Sequence, residues 1–169
     1  MVMRLVKFFA LVLIVVLGIH LLSKDVSMVS ASENVYVVDG DSFEIDGKRI
    51  RLVGIDSPEY KQFCYNEKHQ KYDCGIKAKE YMEKMVFSKR VECKEESVDM
   101  YGRSLSVCFA DGKNLNEEMV KAGWALAYRD DGDKYTSLEQ EAKARKRGVW
   151  QGRFMRPELY RFLLKRKNS

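Results

Sequence analysis

The sequence predicts an α+β protein, a small barrel or sheet of short strands with helices set among them, and three observations carry that expectation. Short apolar alternations bracketed by Asp- and Gly-containing turns come first, between Asn34 and Leu52. Helical periodicity follows from Gly75 onward, with no regular strand-helix-strand repeat. The chain has 169 residues, 46% of them hydrophobic, which is enough to bury one core and makes a single domain the expectation. No internal repeat or low-complexity tract breaks it.

Residues 1–31 stand apart from that domain. Arg4 and Lys7 give a positive start, the run from Phe8 to Leu22 is apolar but for Gly18 and His20, and Val29-Ser30-Ala31 offers the small residues a signal peptidase needs. The reading is a secretory leader cleaved after Ala31, with an uncleaved membrane anchor as the competing one because the apolar run is long for a leader. Secreted, periplasmic or cell-surface placement follows, membrane-anchored if the leader stays.

Within the domain, Val35 to Val38 reads as a strand broken by Asp39-Gly40-Asp41. Phe43 and Ile45 then alternate with polar neighbours up to Asp46-Gly47, a strong hairpin dipeptide. On the return strand Ile50 and Leu52 share one face, which sends Arg49 and Arg51 to the other. Asp56-Ser57-Pro58-Glu59 ends it, because the proline holds Ser57 extended. Tyr60 to Asp73 is polar and reads as an irregular loop, and its single His69 reads as solvated.

Gly75 to Ser88 predicts a helix whose apolar stripe is Ala78, Met82, Met85 and Val86. Strands are expected near Arg90 to Lys94 and over Ser104 to Ala110, the latter ending in an Asp111-Gly112 turn. A short helix follows, capped by Asn114 or Asn116 and stopped by Gly123. After Trp124 to Tyr128 and the acidic turn Asp130-Asp131-Gly132-Asp133, Thr136 and Glu139 have capping-box spacing for a helix to about Arg147, with Gly148 as its stop. The basic stretch 151–169 fits either a short docked helix or a loose tail.

The four cysteines, Cys64, Cys74, Cys93 and Cys108, all follow the leader, and an even count in an oxidising compartment implies two disulfides. Three pairings exist on paper. Cys64 with Cys74 would close the loop and Cys93 with Cys108 would cross neighbouring strands; buried free thiols are the alternative. No C-x-x-C spacing supports a zinc cluster.

Net charge is +5, with Lys and Arg thickening toward the end, a sign that suits a polyanion. Asp41 and Asp56, if they converge, form a hard oxygen site suited to Ca²⁺ or Mg²⁺. Glu59 is placed to orient or deprotonate a water, and Arg51 and Arg103 carry forks that match two oxygens of a pentacoordinate phosphate. Taken singly, Asp-Gly-Asp is an ordinary turn and Tyr101-Gly102-Arg103 an ordinary exposed turn.

Four blocks in order, Val38-Asp39-Gly40-Asp41-Ser42, Ile50 to Glu59, Asp99-Met100-Tyr101-Gly102-Arg103 and Asn114 to Gly123, resemble the signature blocks of the staphylococcal nuclease (thermonuclease) family. The resemblance implies an OB-fold barrel of five strands with about three helices, and a Ca²⁺-dependent phosphodiesterase acting on DNA and RNA. It implies calcium ligands at Asp41, Asp56 and the main chain of Ser57, phosphate-binding Arg51 and Arg103, and Glu59 as general base. Tyr101 and Tyr128 match tyrosines near the bound nucleotide. The expected organisation is a leader over 1–31, a nuclease-like domain over 32–150 and a basic extension over 151–169. A monomer without a stable protein partner is expected.

The chain departs from the pattern in places. Ser42 and Ser57 replace threonines, Met100 stands where the staphylococcal enzyme has a lysine, and the Cys64 to Cys74 loop is foreign to that enzyme. Four cysteines and the ending Trp150 to Phe154 look like an exported bacterial branch, although Asp130 and Asp131 sit where that branch tends to be basic. The competing class is a non-catalytic OB-fold module that binds nucleic acid or a protein on one face.

Overall fold

The structure, a computed structural model, describes residues 34–128 and 133–167. The expected leader and the Asp130-Asp131-Gly132 turn lie outside the described residues.

Strands β1 (Val35–Val37), β2 (Ser42–Ile45) and β3 (Lys48–Leu52) form an antiparallel meander. Its tight turn is Asp46-Gly47, where both residues have positive φ and Ile45 pairs directly with Lys48. A two-residue strand β4 (Ile55–Asp56) follows. Tyr60 to Asp73, expected to be irregular, instead contains a small hairpin of β5 (Cys64–Tyr65) and β6 (Lys71–Tyr72). Two-residue strands are too short for the alternation rule, although Cys64 is fully buried.

Helix α1 (Cys74–Val86) buries Ala78, Met82, Met85 and Val86 as its stripe predicts. β7 (Val91–Val98) runs further than its apolar start suggests and pairs with β8 (Ser104–Ala110), passing a bulge between Glu95 and Ser97. The ladder sets Cys93 opposite Cys108, and these two are bonded; Cys64 is bonded to Cys74, so none of the four is free. β9 (Lys113–Asn114) leads into helix α2 (Leu115–Lys121), capped by the Asn114 side chain, which accepts from the Glu117 N–H. Asn116, the other cap candidate, is buried elsewhere.

β10 (Leu126–Ala127) pairs with β4. Helix α3 (Thr136–Ala144) lacks the expected capping box. Tyr135 holds the cap position, while Glu139 accepts from the Ala127 N–H at 3.3 Å and from Lys143 at 2.6 Å. A 3-10 turn (Gly148–Gln151) leads to helix α4 (Pro157–Lys167), a fourth α-helix among the described residues where about three were expected. No described helix is long and apolar enough to cross a membrane.

The main sheet runs β1-β2-β3-β8-β7, with β3 and β8 parallel and β9 attached to β8. The class is therefore α+β and OB-like. Among the described residues no ladder joins β1 to β7, so the expected barrel is seen as an OB-like sheet without hydrogen-bonded closure. Phe43, Ile45, Ile50 and Leu52 pack on Met82 of α1 and Leu115 and Met119 of α2. Each of these fully buried apolar side chains contributes about 1.5–3 kcal/mol. Asn116 ties the core to its surroundings: its amide donates to Val53 O at 2.8 Å and Ser106 O at 3.2 Å, and accepts from the Cys108 N–H.

Candidate active site

The β2–β3 register pairs Ser42 with Arg51, which sets Arg51 beside Asp41 at the start of β2. Arg51 sits on the face away from Ile50 and Leu52. The turn before β2 is fixed by Asp39, whose carboxylate accepts the Asp41 N–H at 3.0 Å. A Cβ on Gly40 would lie 2.6 Å from Ser57 Oγ and 2.8 Å from the Ala78 side chain, so glycine lets this turn press against both α1 and the Asp56 segment.

Asp41 and Asp56 are 2% and 4% exposed. Asp41 Oδ2 accepts the Ser57 N–H at 2.7 Å, and Oδ1 accepts from Ser42 Oγ and from Arg51 Nη1. Arg51 Nη2 reaches Asp56 Oδ1 and Ile55 O, each at 3.4 Å. One guanidinium thus spans both carboxylates, and the charge of Asp41 raises the Arg51 pKa. Burial raises the Asp56 pKa despite its arginine partners. Asp39 is pushed up to about 7, first by burial and then by the charge of Asp41.

Asp39 and Arg51 line a cleft of about 440 Å³, whose walls also include Glu59, Tyr101, Arg103 and Tyr128. Glu59 is held there by close packing: a Cβ on Gly75 would fall 1.8 Å from the Glu59 carbonyl, so only glycine lets α1 start against this segment. Arg103 is steadied by Asp99, which accepts from Nε and Nη2 at 2.8 Å and from the backbone N–H of Arg103 at 2.9 Å. The Tyr101 ring lies 5.7 Å from the Arg103 guanidinium. Tyr128 is anchored by its N–H to Gly54 O at 2.9 Å.

The structure therefore brings Asp41, Arg51, Asp56, Ser57 and Glu59 together, and adds Arg103, Tyr101 and Tyr128 from other elements. The cysteines stand outside the site and brace it: Cys64 and Cys74 flank the hairpin after Glu59, and Cys93 and Cys108 lie in the far ladder. Met100 is 89% exposed, and His69 is exposed in the hairpin loop.

Two site residues escape sequence reasoning. Asp39 lines the cleft although its Asp-Gly context signals only a turn. Arg161, from α4, donates through Nη1 to Asp56 Oδ1 and Glu59 Oε1, both at 2.8 Å, and through Nη2 to Asp56 Oδ2 at 3.2 Å. Burial works to lower its pKa, but the bonds to Asp56 and Glu59 outweigh that and raise it. Nothing in a basic tail distinguishes this arginine from its neighbours.

Comparison with known proteins agrees with this geometry. The family model described as "Staphylococcal nuclease homologue" matches residues 49–152. An uncharacterized endonuclease of Escherichia coli O157:H7 is 38% identical over 127 residues, covering 69% of this chain and 74% of that protein. A micrococcal nuclease of Shigella flexneri is 31% identical over 136 residues, 70% of this chain and 72% of that one. The succinoglycan biosynthesis protein ExoI of Rhizobium meliloti is 36% identical over 118 residues, 68% of this chain but only 61% of its own length. A match over most of the described domain, with the two carboxylates, two arginines and glutamate gathered at one cleft, places the chain in the staphylococcal nuclease family.

Proposed function

We propose that this protein is an exported, calcium-dependent nuclease that hydrolyses phosphodiester bonds of DNA or RNA by attack of water. A nuclease of the staphylococcal type is the class its family gives; the metal, the export and the residue roles are our reading. The observation that carries it is the cleft in which Glu59, Arg51 and Arg103 share walls beside two buried carboxylates.

The donor set fits a hard cation. Asp41 and Asp56 offer only oxygen, and the raised pKa values of Asp56 and Asp39 mark a site with more carboxylate than its burial tolerates. Among the described residues no three His, Cys, Asp or Glu side chains form a ready-made metal cluster, so Asp41 and Asp56 would hold the ion with main-chain oxygen at Ser57, water and substrate phosphate. Calcium bound there supplies positive charge that polarises the phosphodiester.

The chain's own groups do the rest. Arg51 and Arg103 present planar forks to the phosphoryl oxygens, whose charge grows as water attacks. Asp41 and Asp99 fix the two guanidinium planes beforehand, so little reorganisation is left for the reaction. Glu59 accepts the proton of the attacking water, and the P–O bond to the leaving oxygen breaks. Tyr101 and Tyr128 stand at the cleft where nucleotide rings pass. Two disulfides suit an oxidising compartment, which supports export. Action as a monomer on a nucleic acid substrate, without a stable protein partner, is part of the same reading.

Glu59→Gln and Arg103→Ala test it. Each is expected to abolish most cleavage of single-stranded DNA while binding persists. A wild type that binds without turnover, with both variants unchanged in affinity, would instead favour a non-catalytic OB-fold binding module.

A further inference from the structure

Asp56 and Glu59 share a partner that lies beyond residue 152, where the family match ends. Helix α4 docks on the segment that follows Glu59. The Gln62 side-chain amide donates to Met155 O at 2.6 Å, and the Tyr160 hydroxyl donates to Lys61 O at 3.1 Å. Arg161 is thereby delivered to the cleft by a fixed element. Its Nη1 sits 2.8 Å from an oxygen of each carboxylate, and Nη2 takes the second Asp56 oxygen at 3.2 Å. A guanidinium bridging two carboxylates removes their mutual repulsion, and its rigid fork sets their planes.

We infer that Arg161 is a positioning residue of the phosphodiester reaction, which aligns Glu59 beside Asp56 and adds to the Arg51 charge there until a divalent cation takes the Asp56 oxygens. The inference rests on the nuclease reading above. Both Asp56 oxygens accept from Arg161, so a cation that binds them displaces that half of the contact. Glu59 accepts through Oε1 alone and keeps its half. Arg161 therefore weakens cation binding while orienting the base, and removing it moves these two properties in opposite directions.

The test uses the purified protein with Arg161→Ala, Arg161→Lys and Tyr160→Phe. Calcium affinity is read by calorimetry without nucleic acid, and kcat and KM are read on a single-stranded oligonucleotide at saturating calcium. Arg161→Ala is expected to bind calcium several-fold more tightly, yet to lose about tenfold or more in kcat with KM within about twofold. Arg161→Lys is expected to recover part of kcat, since the charge remains without the fork. Calcium bound no more tightly by Arg161→Ala, or kcat unmoved, overturns the inference. Tyr160→Phe, which loosens the docking that delivers Arg161, is expected to move both properties in the same directions but by less. A wild type without calcium-dependent cleavage is a failure of the nuclease reading, and the calorimetric comparison still decides whether Arg161 holds Asp56.

Discussion

Arg51 and Asp41 face each other beside the β2–β3 ladder, and the same guanidinium extends to Asp56 at 3.4 Å. Buried Asp41 thus has as its cation a guanidinium that is also aimed at substrate, while Asp56 shares it with Arg161. Arg51→Ala is expected to lower kcat by about 10²–10³, as loss of a preorganised transition-state donor does. It should also destabilise the calcium-free protein by about 3–5 kcal/mol, because the buried Asp41 charge loses its cation. Steady-state kinetics and denaturant unfolding in EDTA check both effects, and calcium should restore part of the lost stability.

Asn116 carries the same logic into the core. Its side chain serves two carbonyls and one N–H, in β8 and at Val53, from a fully buried position. Asn116→Leu removes the side-chain partner of Val53 O and of the Cys108 N–H, while Ser106 O keeps the Val53 N–H, and is expected to cost about 3 kcal/mol of stability. A change of less than about 0.5 kcal/mol in denaturant unfolding would show that the three bonds are replaceable.

The Cys64–Cys74 bond closes a loop of sequence separation 10 directly after the Glu59 segment. Replacing both cysteines with serine is expected to cost about 3 kcal/mol by loop entropy. Activity at a temperature where the variant stays folded should fall as well, since the hairpin is tied to Arg153 through the Tyr65 N–H and so to the approach of α4. Thermal unfolding and a cleavage assay on the double variant measure the two effects.

Much of this arrangement was legible because local rules and tertiary needs coincide. The alternation Ile50 and Leu52 against Arg51 put that arginine on the site face, and Asp46-Gly47 fixed the register that sets it beside Asp41. Cysteine pairing was legible for a similar reason, since Cys93 and Cys108 fall on adjacent strands. The failures have a different cause. Glu139 satisfies the Ala127 N–H across the fold instead of its own helix terminus, so its spacing to Thr136 misled. Leu159, Phe162 and Leu163 have helical spacing but stay exposed, so periodicity gave no sign of how α4 docks. That docking rests on side-chain-to-carbonyl bonds at Lys61 and Met155, and no local pattern encodes them. Arg161 was hidden with it.

The most direct measurement is hydrolysis of single-stranded DNA by the purified protein, followed with calcium and with EDTA, alongside Glu59→Gln. Cleavage is expected to appear with calcium, disappear with EDTA and fall by at least about a hundredfold in Glu59→Gln. Cleavage undiminished in EDTA, or none at any calcium concentration, would contradict this expectation.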